Sequence, residues 1–125
     1  MVTDVLIVDD SKTVRTSLCN WLKSVFPSWS IEEAACGQEA VDRVLVHPPG
    51  IVLMDISMPG INGIEATHRI KAIAPETQVV MLTIYEDAQY RADASMAGAS
   101  AYVIKRKMRT ELIPVLVNLV ALKSI

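Results

Sequence analysis

Apolar residues arrive in short blocks separated by longer amphipathic stretches. Val5-Leu6-Ile7-Val8, Ile51-Val52-Leu53-Met54, Val79-Val80-Met81-Leu82 and Ala101-Tyr102-Val103-Ile104 are near-continuous apolar runs rich in β-branched residues. They do not alternate with polar residues, so each predicts a strand that is apolar on both faces, as in a parallel sheet covered by helices on two sides. Between them, Val14, Leu18, Trp21, Leu22 and Val25 fall on one helical stripe. Ala40, Val41, Val44 and Leu45 make a shorter stripe, Ile64 to Ile73 another, and Ala88, Ala92 and Met96 a fourth that Gly98 would close. A weaker strand around Trp29 to Ala34 fills the gap after the first helix. Pro48-Pro49-Gly50, Pro59-Gly60 and Asn62-Gly63 supply turns where connections belong.

This strand–helix alternation predicts an α/β fold with right-handed crossovers. The expected form is a flavodoxin-like, doubly wound, five-stranded parallel sheet of order 2-1-3-4-5, with helices on both faces. The final helix departs from the pattern. Leu112, Ile113, Val115, Leu116, Val117, Leu119, Val120 and Leu122 leave little polar face, interrupted only by Glu111, Asn118 and Lys123. With Thr110 as N-cap, Pro114 would stand at the fourth helical position and cost one backbone hydrogen bond. A well-buried helix is the ordinary reading, but a terminal helix on such a sheet normally keeps one face wet, which favours an exposed apolar patch that meets a partner or a second copy.

Composition narrows the function classes. Of 125 residues, 51% are hydrophobic and 21% charged, with a formal net charge of −2. That excludes a disordered chain, and it lacks the basic surplus of a general nucleic-acid binder. Cys19 and Cys36 are too few for a disulfide scaffold or zinc site and read as small hydrophobes. His47 and His68 have no partner at metal spacing. No apolar run approaches the roughly 20 residues that span a bilayer. Met1-Val2-Thr3-Asp4 lacks the start of a secretory signal. The expectation is one soluble, cytoplasmic domain over residues 1–125.

The chemistry lies in what ends each apolar run. Val8 is followed by Asp9-Asp10, Met54 by Asp55, Leu82 by Thr83 and Ile104 by Lys105. Ligands of open α/β sheets bind at the carboxyl ends of the strands, where strand order reverses. The predicted order makes strands one and three neighbours there, so Asp9, Asp10 and Asp55 would crowd together with Thr83 and Lys105 beside them. Gathered carboxylates repel, and a hard divalent cation such as Mg²⁺ would offset this better than one lysine. A carboxylate nucleophile, a metal and groups for phosphoryl oxygens are the requirements of phosphoryl transfer. Asp55, alone at the centre, is the best acceptor for an acyl phosphate. Taken singly, each of these residues also has an ordinary reading: Asp10 or Ser11 as a helix cap, Thr83 as a strand end, Lys105 as part of a basic turn with Arg106, Lys107 and Arg109.

Val8-Asp9-Asp10-Ser11, the run Asp55 to Gly63, Met81-Leu82-Thr83 and the run Gly98 to Lys105 together resemble the receiver domain of bacterial two-component response regulators. The likeness is greatest to the nitrate-regulator-type subfamily, whose members usually add a helix-turn-helix output domain. The resemblance implies that Asp55 accepts a phosphoryl group from a sensor histidine kinase. It further implies that Asp10, Asp55 and the Ser57 backbone carbonyl hold Mg²⁺ directly and Asp9 through a water. Thr83 and Lys105 would receive phosphoryl oxygens, and Tyr102 would be the switch aromatic that turns inward as Thr83 moves. The output surface would lie on the fourth helix, fifth strand and final helix, acting on an output domain, an effector protein or a second copy. Such a domain is a switch rather than a turnover enzyme, although it catalyses its own phosphotransfer and dephosphorylation, and it binds no nucleic acid or membrane itself.

Three rival readings stay open at this point. A haloacid-dehalogenase-like phosphatase also forms an aspartyl phosphate with Mg²⁺, but it would want Asp-x-Asp where Asp55-Ile56-Ser57 stands. A nucleotide or flavin binder would want a glycine-rich turn in place of Asp9-Asp10-Ser11-Lys12. A degenerate receiver would act only as an interaction module, but such forms usually lose an acidic or lysine position. Two details depart from the common receiver pattern: Ile84 is bulky after Thr83, and Arg106 replaces the frequent proline after the lysine.

Overall fold

Strands that are apolar on both sides must be covered twice, and the helices divide accordingly. The structure, a computed structural model, describes residues 3–123. In chain order its elements are β1 (Asp4–Val8), α1 (Lys12–Val25), β2 (Ser30–Ala34), α2 (Gly37–Val46), β3 (Ile51–Met54), α3 (Gly63–Ile73), β4 (Gln78–Thr83), α4 (Ala88–Met96), β5 (Ala101–Ile104), a 3-10 turn (Lys105–Lys107) and α5 (Met108–Lys123). The sheet is parallel throughout and ordered β2-β1-β3-β4-β5, as the alternation predicted.

The two-residue period of the strands sorts the core into halves. Leu6, Val8, Val52, Met54, Val79 and Met81 pack under Val41 and Val44 of α2, Ile70 of α3 and Ala94 of α4. Val5, Ile7, Leu53, Val80, Leu82 and Val103 face the other way, against Leu18 and Leu22 of α1 and Leu112 and Leu116 of α5. Only β2, Ser-Ile-Glu-Glu-Ala at the sheet edge, shows the alternation of a half-exposed strand. It begins at Ser30, one residue later than the pattern placed it, because Trp29 turns away to stack on Phe26 with ring centroids 3.7 Å apart.

Local chemistry fixes the helix ends. Ser11 caps α1 by accepting the Val14 amide, and Asn62 caps α3 by accepting the Glu65 amide at 2.9 Å. After α4, Gly98 takes φ 105° while its amide bonds Ser95 O and the Ala99 amide bonds Ala94 O, a Schellman closure that needs a residue without a Cβ penalty.

The start of α5 corrects the expectation from sequence. The turn Lys105–Lys107 runs directly into the helix at Met108, so Thr110 lies inside it, its hydroxyl donating back to Lys107 O at 3.2 Å. Pro114 is therefore an interior residue rather than the fourth, and its missing amide faces the carbonyl of Thr110. Leu112 and Leu116 are fully buried, whereas Val117 is 47% and Leu122 68% exposed. The helix has a wet face, and part of that face is apolar.

Candidate functional site at the carboxyl ends of the strands

Register brings the acidic residues together. Val8 pairs with Met54 across β1 and β3, so the residues that follow, Asp9 and Asp55, leave adjacent strands at one level. The Asp55 amide donates to Val8 O at 3.0 Å and the Asp9 amide to Ala34 O at 3.2 Å, which ties both residues to the sheet. Asp9 and Asp55 are buried, at 3% and 7% exposure, while Asp10 is exposed. One carboxylate oxygen from each of Asp9, Asp10 and Asp55 lies within 4.8 Å of the other two.

Lys105 follows Ile104, which pairs with Thr83 across β4 and β5. Its Nζ reaches back over the sheet end to Asp9 Oδ2 at 2.9 Å and Asp55 Oδ2 at 3.3 Å. The other oxygen of each carboxylate accepts a backbone amide, Asp9 from Ser11 and Asp55 from Ile56, both at 2.8 Å. Burial pushes the Asp55 carboxyl above its ordinary value; Lys105 pulls it back, and the charge of Asp9 adds to the rise. For Lys105, burial alone would lower the value, but the hydrogen bond to Asp9 and the charges of Asp55 and Asp9 prevail and raise it.

Thr83 and Tyr102 meet on a shared neighbour rather than on the carboxylates. The wholly buried Thr83 accepts the Tyr85 amide on its Oγ1 at 3.2 Å, and Tyr102 Oη donates to Tyr85 O at 2.8 Å. Arg91 lies over the Tyr102 ring, 4.7 Å from its centroid. Ser57 is exposed in the loop after Asp55, between Ile56 and Met58, which both turn into the core and anchor that loop. Arg106 forms a two-pronged ion pair with Glu86, linking the loop after β4 to the turn after Lys105.

Gly63 is a site feature that the sequence pattern showed only as a turn. A Cβ at this position would stand 1.9 Å from the Asp55 carbonyl oxygen. Only glycine lets the start of α3 fold back onto the Asp55 backbone, where its amide donates to Ile56 O at 2.8 Å.

Three carboxylates facing one ammonium leave excess negative charge, and the all-oxygen donor set suits a hard divalent cation. Residues 5–116 of the chain match the family model described as the response regulator receiver domain. The chain belongs to this family. It is a two-component signalling receiver, similar to that of a LuxR-family regulator. It is 36% identical over 102 residues to the response regulator UvrY of Escherichia coli (strain K12), a match covering 82% of this chain and 47% of that relative. The receiver thus spans less than half the length of that relative. Among solved structures, a LuxR-family two-component response regulator from Aurantimonas sp. SI85-9A1 superposes with TM-score 0.88 at 29% identity, covering 97% of this chain and 87% of that one. TrrA from Thermotoga maritima, solved in complex with Mg(2+)-BeF, superposes with TM-score 0.83 at 31% identity, covering 94% and 98%. No described helix is long and apolar enough to cross a membrane.

Proposed function

We propose that residues 1–125 act as a receiver domain in which Asp55 accepts a phosphoryl group from a phosphohistidine of a sensor kinase, or from acetyl phosphate. The observation that carries this reading is the buried Asp55 carboxylate, paired with Lys105 at 3.3 Å and crowded by Asp9 and Asp10. One Asp55 oxygen attacks phosphorus, the bond from phosphorus to the donor nitrogen or acetyl oxygen breaks, and an acyl phosphate forms. Lys105, shared between two carboxylates, is the charge that moves to a new phosphoryl oxygen. Thr83 Oγ1 turns from the Tyr85 amide to donate to another.

The donor set supports Mg²⁺, with Asp10, Asp55 and the Ser57 carbonyl as direct ligands and Asp9 through water. When bound, Mg²⁺ would supply charge neutralisation for the carboxylates and the transferring group. The mention of Mg(2+)-BeF in the TrrA structure belongs to that protein and lends support by likeness. The wider reading is a cytoplasmic switch that catalyses only its own phosphorylation and hydrolysis.

Movement of Thr83 would release or retain Tyr85, and Tyr102 would follow because both bond the same residue. That couples the site to α4, β5 and α5, whose exposed Met96, Val117 and Leu122 offer apolar area to an output domain, an effector or a second copy. The test is incubation of wild type and Asp55→Asn with acetyl phosphate and Mg²⁺, followed by intact-mass measurement. A phosphate-sized gain in wild type alone is expected; a gain in both proteins, or in neither, would overturn the reading.

A further inference from the structure

We infer that Arg15 is a positioning residue for Mg²⁺ binding, acting through the Asp9–Asp10 peptide; the inference rests on the metal site proposed above. Arg15 opens the second turn of α1, and its side chain is only 13% exposed. Its Nη1 donates to the backbone carbonyl of Asp9 at 2.6 Å while its Nε pairs with Glu33 of β2 at 3.1 Å.

The geometry explains what this contact does. β1 ends at Val8, and no backbone amide among the described residues donates to the Asp9 carbonyl. A carbonyl so placed needs a partner, and Arg15 supplies it. The peptide that follows is planar, so fixing the Asp9 oxygen also fixes the amide and Cα of Asp10. Asp10 is the one exposed carboxylate of the trio, and its side chain has no hydrogen-bond or ion-pair partner among the described residues. The backbone at its Cα, together with its own rotamer, is therefore what places this carboxylate. Asp9 has three restraints of its own: the Ala34 carbonyl, the Ser11 amide and Lys105. Loss of Arg15 should loosen Asp10 while leaving Asp9 and Asp55 in place.

Glu33 holds the guanidinium from the neighbouring strand, with the planar fork spanning two partners that an ammonium would have to choose between. Outer-sphere groups of this kind typically change metal affinity by about 10–100-fold. Binding of Mg²⁺ should be measured by calorimetry with no phosphodonor present, for wild type, Arg15→Ala, Arg15→Lys and Glu33→Gln, with circular dichroism as the folding control. Arg15→Ala is expected to bind Mg²⁺ about tenfold more weakly at the low end of that range. Arg15→Lys should fall between it and wild type, and Glu33→Gln, which keeps an acceptor for Nε, should stay near wild type. Saturating Mg²⁺ should then restore the phosphorylation rate of Arg15→Ala with acetyl phosphate.

Unchanged affinity in Arg15→Ala, or a rate defect that saturating Mg²⁺ does not repair, would overturn the inference. Should Arg15→Ala fail to fold, Arg15→Lys decides: weakened Mg²⁺ binding supports the role and wild-type affinity refutes it. Wild type that takes up no Mg²⁺ would remove the metal site itself, and this inference with it.

Discussion

Asp55 is held between burial, which favours its neutral form, and Lys105, which favours its charged one. Burial prevails, so the folded chain holds this proton more tightly than the unfolded chain does. Stability therefore falls as pH rises from the ordinary carboxylate value through the raised folded one, and the deficit persists at neutral pH. In metal-free buffer Asp55→Asn, which cannot ionise, should be more stable than wild type at pH 7, with the gap closing as pH falls below the carboxylate range. Urea melts at several pH values check this, and a constant gap would contradict it. Lys105 has the opposite sense: its raised value means a contribution present below the ordinary lysine value of 10.5 and lost as pH rises through the folded one. Lys105→Met should cost about 1–2 kcal/mol at pH 7, discounted for partial exposure, and less in acid where the carboxylates are neutral. The same melts measure both. Gly63→Ala must push the Asp55 backbone aside; a loss of about 1–3 kcal/mol is expected, together with slower acetyl phosphate labelling.

Among the elements, β1, β3, β4 and β5 were legible because both of their faces are buried, which leaves unbroken apolar runs. The polar residues ending those runs were legible for the same reason, and Asp9, Asp10, Asp55, Thr83 and Lys105 all stand at the carboxyl end of the sheet. The bounds of β2 were less so, since an edge strand carries polar residues and Trp29 packs outside it. Thr110 has the chemistry of an N-cap, but nothing local reveals that the turn after Lys105 runs on into α5. Gly63 was legible only as a turn and Arg15 not at all, because their roles appear only in the folded chain, where Gly63 packs on the Asp55 backbone and Arg15 bonds the Asp9 carbonyl and the Glu33 carboxylate. Within α5, Pro114 sits exposed in the interior. Pro114→Ala restores a backbone donor and should raise stability by about 2 kcal/mol, part of the helix gain being offset by the freer unfolded chain. Differential scanning calorimetry reads the sign directly; a lowered melting temperature would show that the proline conformation is needed.

Taken as a whole, the molecule puts its chemistry at one end of the sheet. Met96, Val117 and Leu122 on α4 and α5, the helices flanking edge strand β5, carry part of its exposed apolar surface, with Leu45 and Val46 of α2 exposed elsewhere. Thr83, Tyr85 and Tyr102 form a short hydrogen-bonded path between that chemistry and β5. If that path carries the signal, beryllofluoride with Mg²⁺ should change self-association in sedimentation velocity, and Val117→Asp should abolish the change without altering beryllofluoride binding. Unaltered sedimentation at high concentration would leave the face to a different partner and count against pairing of copies. The central claim is more local: the phosphoryl group resides on Asp55. Borohydride reduces an acyl phosphate to an alcohol, so treating acetyl phosphate-labelled protein and mapping its peptides should find homoserine at position 55 alone. Homoserine at Asp9 or Asp10, or reduction at no aspartate while the intact mass still carries phosphate, would contradict the account.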